Sequence, residues 1–149
     1  MLGYYCQPGE TAAAFDKDGY FHTGDLGLLD ENWLLRLVGR LKDVIIQSGF
    51  NVYPREVETR IEAHPAVQEV AMVGVTDTLL SEANMCLHRP SVEGAIVTGQ
   101  EVMDWCRDTL AEDKVPDFVR FIDELPRTDT GQVRRTDLSL LAQPEGQSA

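Results

Sequence analysis

The chain has 149 residues, 43% hydrophobic and 26% charged, a composition that builds one globular domain with at most a piece of another and excludes a disordered chain. Thirteen basic against twenty-five acidic residues give a formal charge of −12, which excludes nucleic acid and anionic membrane as partners of the whole surface and leaves only local anion sites. Cys6, Cys86 and Cys106 stand far apart without a CxxC pair, and His22, His64 and His88 are scattered; this predicts reduced thiols in a cytoplasmic protein, two of them in the core, and no metal site.

In chain order, residues 1–15 read as a turn and a short helix, and the abrupt opening on Leu2-Gly3-Tyr4-Tyr5 predicts a fragment that continues an earlier element. "GYFHTGDLGLLDENWLLRLVGR" predicts two short strands in a hairpin, turning at residues 30–32, with Trp33 packed at the start of the second. "DVIIQSG" is a brief β-branched strand ended by Gly49, and "QSGFNVYP" reads as a loop between strand and helix. The helix "PREVETRIEAH" follows. Pro54 suits its first position, Glu56 and Glu58 suit the positive end of its dipole, Val57 and Ile61 form an apolar edge, and Pro65 stops it.

"AVQEVAMVGV" is the clearest strand, and "EANMCLHR" a partner that Asn84 weakens. Thr98 and Glu101 make a capping box for a helix with Val102, Trp105, Cys106 and Leu110 on one face. Met103 and Trp105 are read as core rather than as the lining of a ligand site. "VRFIDEL" is a last strand, followed by a basic tip, a short helix "TDLSLLAQ" and a polar tail. The order of elements predicts an α+β fold, a small mixed β-sheet with packed helices, preceded by the β-hairpin.

Four places hold polar residues that packing does not require. Asp25 lies in a turn between Gly24 and Gly27, where a carboxylate can reach a hydroxylated ligand or serve as an ordinary turn residue. "GRLKD", residues 39–43, sets three charges directly before an apolar strand at a candidate domain boundary. Gly49, without a side chain, lets a ligand or another backbone pass closely. The tip "RTDTGQVRR", residues 127–135, is a basic island in an acidic chain, to be read as an anion site or as a solvated loop.

Taken in order, "YFHTGDLG", "GRLKDVIIQSGFNVYPREVE" and "DELPRTDTGQVRR" resemble, at nearly fixed spacing, the closing motifs of the adenylate-forming superfamily. That superfamily holds acyl-CoA synthetases, the adenylation domains of peptide synthetases and firefly luciferase. The resemblance extends over residues 3 to about 140. It implies a two-step joining of a carboxylic acid to a thiol. ATP and the acid give an acyl-adenylate and pyrophosphate, and the thiol of coenzyme A then displaces AMP. It also implies the domain plan: residues 1–41 end a large N-terminal AMP-binding domain, 42–43 form a hinge, 44–142 a mobile C-terminal lid, and 143–149 a tail.

By the same resemblance, Asp25 accepts hydrogen bonds from the ribose hydroxyls of ATP or AMP, with Arg40 on the same nucleotide. Lys42 is the hinge, a position where the family carries Asp or Lys. Ser48, Gly49, Phe50 and Asn51 form a loop that enters the active site for the thioester step, with Gly49 beside the thiol tunnel. Pro54 and Glu56 start and cap the helix that carries this loop. Gln132 stands where the family places its adenylation lysine, so length and one donor are kept and the charge is lost. Ser81-Glu82 replaces a usual Gly-Glu.

The implied partners are the missing N-terminal domain of the same chain, a carboxylic acid and coenzyme A, with Mg2+ brought by ATP and the missing domain, and with no nucleic acid or membrane span. The first reading is thus the C-terminal fragment of an ATP-dependent acyl-CoA synthetase, inactive alone. The alternatives are an adenylation domain that loads a carrier protein, and a non-catalytic binding module that keeps the lid fold, which Gln132 favours.

Overall fold

The computed structural model describes residues 1–77, 81–90 and 97–142. The chain divides into two compact units, Met1–Lys42 and a second beginning at Asp43. The polar tail from residue 143 lies outside the described residues.

In the first unit, helix α1 (Pro8–Ala13) starts on a proline, whose missing N–H costs nothing at a helix N-terminus. Strands β1 (Asp25–Leu29) and β2 (Leu35–Arg40) pair antiparallel, from Asp25↔Arg40 to Leu29↔Leu35. Asp30 shapes the turn between them: its Oδ1 accepts from the amides of Asn32 and Leu34, both at 2.8 Å. That turn carries Trp33 in the left-handed region (φ 62°) and leaves it 81% exposed. The expected packed Trp33 is therefore corrected: the carboxylate-ordered turn extends through it, and β2 begins only at Leu35.

In the second unit, β3 (Ile45–Gln47) and β4 (Phe50–Val52) form a hairpin, followed by α2 (Pro54–Glu62), β5 (Val67–Asp77), β6 (Ser81–Pro90), α3 (Gly99–Arg107), β7 (Phe118–Phe121) and α4 (Arg135–Ala142). The sheet runs β4-β3-β6-β5, with β7 also beside β6. β5 and β6 pair antiparallel along their lengths, whereas β6 and β7 are parallel. The parallel pair follows from the α3 crossover between them, because parallel neighbours cannot be joined by a tight turn. The sheet is mixed, as the sequence predicts, although the last strand stops at Phe121 rather than reaching Leu125.

β5 alternates between two cores. Val70 and Met72 face Val57 and Ile61 of α2 and Val102 and Cys106 of α3, while Ala71, Val73 and Val75 face Leu125 and Leu138. Helices thus cover both faces of the sheet. α3 opens on the predicted capping box: Thr98 Oγ1 accepts from the Glu101 amide, and the Glu101 carboxylate accepts from the Thr98 amide at 2.7 Å. The Thr98 amide and hydroxyl hold the Glu101 carboxyl below its ordinary value.

Trp105 is half-buried and clasps α2 to α3. Its indole donates to the Arg60 carbonyl at 2.9 Å, and Arg60 donates back to the Trp105 carbonyl while stacking 4.0 Å from the ring centroid.

Among the described residues β5 has a strand on one edge alone, and side chains bind the other. The Met72 amide donates to Glu58 Oε1 at 2.9 Å, and the Met72 carbonyl accepts from Arg135. Glu58 and Arg135 are themselves paired at 2.8 Å. The pair satisfies a backbone donor and acceptor that a buried edge would otherwise leave open.

Candidate functional site

The hairpin of the first unit brings Asp25 and Arg40 together. The antiparallel register sets them opposite one another, and Arg40 Nε stands 3.3 Å from Asp25 Oδ1. The Asp25 amide is held by Thr23 Oγ1 at 3.1 Å, and the Leu41 amide by the Gly24 carbonyl at 2.8 Å, which fixes both ends of the site. An accessible carboxylate beside a guanidinium suits a vicinal diol with a phosphate nearby, so the two residues fit a nucleotide sugar. Lys42 follows in a single 3-10 turn, Leu41–Asp43, at the division between the two units.

"QSGFNVYP" is not a loop running straight into a helix. Gln47 pairs with Phe50, so Ser48 and Gly49 are the two central residues of a tight hairpin turn. Both have positive φ, 48° and 86°, as two-residue turns matched to strand twist require. The missed strand β4 is only three residues long, and its burial pattern gives it one core residue, Val52. That is too short for alternation to reveal.

Glu56 also departs from expectation. The N-cap residue Tyr53 makes no side-chain cap bond, and Glu56, in the first turn, holds Lys114 through both carboxylate oxygens, at 2.7 and 2.9 Å. This ties α2 to the segment before β7.

Beside the hairpin lies an open groove of ≈ 600 Å³ lined by Gln47, Ser48, Phe50, Met103, Arg107 and Pro116, among others. Met103 packs on the core as predicted and also reaches this groove. Gln47 is 9% exposed and donates to Asp117 at 2.8 Å, which fixes the groove floor. Residues from α3 and the segment before β7 carry no local signal that would assign them here; only the fold gathers them.

The basic tip is largely exposed but is held by its own hydrogen bonds. The Thr128 amide donates to the Gln132 carbonyl, the Gly131 amide to the Thr128 carbonyl, and the Arg134 amide to the Pro126 carbonyl, all at 2.8 Å. Gly131 takes φ 83°, where a β-carbon would be strained. All three arginines are engaged. Arg127 bridges Glu69 and the Gly131 carbonyl, both at 2.7 Å. Arg134 bridges Asp137 and the Arg127 carbonyl, and Arg135 is the edge cap of β5. The result is a rigid arch with Gln132 exposed on it.

The hairpin and the arch lie at opposite ends of one sheet. Gln47 pairs with Ser81, the partner of Asp77, whereas Arg127 binds Glu69. Glu69 and Asp77 are eight residues apart on β5, roughly 26 Å at about 3.3 Å per residue.

Cys106 is buried, and burial pushes its thiol up to about 11. Cys6 is exposed, so it is not one of the two expected core cysteines, and the side chain of Cys86 lies outside the described residues. Among the described residues no group of three His, Cys, Asp or Glu could hold a metal ion, and no helix is long and apolar enough to cross a membrane.

Residues 56–132 match the family of AMP-binding enzyme C-terminal domains. A long-chain-fatty-acid–CoA ligase of Escherichia coli is 43% identical over 141 residues, 93% of this chain and 24% of that protein. A methyl-dioxo-octahydro-indenyl-propanoyl:CoA ligase of Rhodococcus jostii is 41% identical over 93% of this chain and 27% of its own length. The ATP-bound crystal structure of MatB from Rhodopseudomonas palustris superimposes with a TM-score of 0.89, at 38% identity over 93% of this chain and 27% of that one. The chain thus spans about a quarter of the length of the relatives it matches. It belongs to the AMP-binding enzyme C-terminal domain family of the adenylate-forming superfamily.

Proposed function

We propose that this chain is the C-terminal part of an AMP-forming acyl-CoA synthetase, with residues 44–142 as its mobile lid, 42–43 as the hinge and 1–41 as the end of the larger domain. The observation that carries the proposal is the placement of the two polar loops at opposite ends of one sheet. A unit built in this way can present the Ser48–Asn51 hairpin or the Gln132 arch to a single reaction centre, but not both at once. That is what two successive half-reactions require of one lid.

In this reading Asp25 and Arg40 hold the nucleotide, and Gly49 borders the thiol path, where a β-carbon would obstruct. Gln132 offers its amide to charge developing on acid and phosphate. ATP supplies the activating adenylyl group, and Mg2+ arrives with it on the larger domain. Leu28, Leu35 and Leu37 of the first hairpin are each more than 60% exposed, an apolar surface that supports packing against that domain. The chain alone is then inactive, since most of the ATP and acid contacts lie elsewhere. The exposed free thiol of Cys6 supports a reducing, cytoplasmic setting.

Gln132 favours a second reading, a lid-fold module without adenylation. The decisive test uses the full-length protein of which this chain is part, unaltered and as Gln132→Lys, with pyrophosphate release measured without coenzyme A. A charge-assisted bond worth about 1.5–3 kcal/mol in the transition state raises the first half-reaction by about ten- to a hundredfold and leaves thioester formation from supplied acyl-adenylate unchanged. No adenylate from either form would refute the synthetase reading and leave the module.

A further inference from the structure

Arg135 closes the basic tip and opens α4, and its guanidinium serves three distant segments. Its Nη2 donates to Glu58 Oε1 at 2.8 Å, Nη1 donates to the Met72 carbonyl, and Nε stands 3.4 Å from Asp43 Oδ2. The first two partners belong to the interior: the Glu58 side chain is 4% exposed and Met72 is fully buried. They fix the guanidinium whatever happens at the surface. Asp43 is different. It is the first residue of the second unit, directly after Lys42, in a one-turn 3-10 segment that gives it little support of its own. Its carboxylate and the Arg135 guanidinium are 23% and 28% exposed, shielded enough to hold a pair against water.

We infer that Asp43 and Arg135 form a pin that ends the joint: backbone freedom at Lys42 stops at Asp43, which Arg135 fixes to the root of the Gln132 arch. Arg135 is then a positioning residue for a tip it does not itself present. The arch enters α4 through Arg134 and Arg135, so the residue after the hinge and the loop that works at its far end share one guanidinium. The purpose of the pin rests on the lid reading; its existence is a property of this chain and is tested on it without catalysis.

The experiment is amide hydrogen exchange by NMR on the whole chain, comparing the parent with Asp43→Asn and Asp43→Glu, together with the Nε proton signal of Arg135. Removing the charge while keeping the shape should speed exchange of the Lys42, Asp43 and Val44 amides by about fivefold, the upper end for a partly exposed ion pair. Exchange in β5 should stay within about twofold, since Glu58 and Met72 still hold Arg135. The Arg135 Nε resonance should shift in Asp43→Asn and return toward the parent position in Asp43→Glu, which keeps the charge. Unchanged exchange at residues 42–44 would overturn the pin. So would acceleration spread evenly through β5, which would make Asp43 a general support of the fold. Either result leaves the synthetase reading standing, because that reading is tested by adenylate formation.

Discussion

Glu58→Ala removes the side chain that stands in for a missing strand, and its cost can be worked from the contacts. Glu58 is 3% exposed and Met72 fully buried, so the Met72 amide has no route to water once its acceptor at 2.9 Å is gone. A buried donor left open costs about 1–3 kcal/mol. Breaking a buried ion pair by deleting one partner costs about 3–5 kcal/mol in all. Arg135 keeps the Met72 carbonyl and Asp43, and its side chain is 28% exposed, which argues for the low end, about 3 kcal/mol. Glu58→Gln keeps an acceptor for Met72 and loses only the charge, so it should cost about 1 kcal/mol.

At roughly 4–8 °C per kcal/mol for a unit of this size, Glu58→Ala lowers Tm by at least about 12 °C. Thermal and urea unfolding followed by Trp105 fluorescence reads this directly when Trp33, in the other unit, is first changed to Phe. A Glu58→Ala variant within about 1 kcal/mol of the parent would refute the edge-cap argument, because an amide open at a dry edge cannot be that cheap.

In a complete enzyme, Gly49→Leu should impair thioester formation and spare pyrophosphate release. The space around an added β-carbon is open within this unit, so the loss would come from the thiol path and from strain at φ 86°; equal loss in both steps would make the turn merely structural. Cys6, exposed, should alkylate first, whereas Cys106, buried and with its thiol at about 11, should stay unmodified until the unit unfolds or the pH approaches that value. Mass spectrometry of iodoacetamide adducts against pH separates the two, and early labelling of Cys106 would count against its burial.

Most of the helices and the long strands were legible because they carry local signals: the Thr98–Glu101 box, Pro54 at a first position, the alternating run that becomes β5. Val57 and Ile61, four residues apart, do line a fully buried edge. What escaped is what local pattern cannot encode. β4 has three residues and one buried side chain. Trp33 looks like core by type, yet a single aspartate accepting two amides decides its turn. Glu56 sits in a capping position and instead reaches 58 residues along the chain to Lys114. At the candidate site, the motif positions were visible from the sequence, and the pairing of Asp25 with Arg40 follows from hairpin register. The groove beside Ser48 and the partners of the three tip arginines come from segments that only the sheet order brings together.

The arch has a further consequence for how such a protein changes over generations. The bonds that shape it run through the backbone of residues 126–134, the Thr128 hydroxyl and the Arg127 and Arg134 guanidinium groups; among the described residues, none of them uses the side chain of Gln132. The turn is therefore blind to what position 132 carries. Lysine, glutamine or an acylated lysine can occupy it without altering the shape that delivers it, so chemistry at this position is free to drift, be switched or be restored in one mutational step. Under the role proposed for Gln132, the group that acts and the shape that delivers it can change independently.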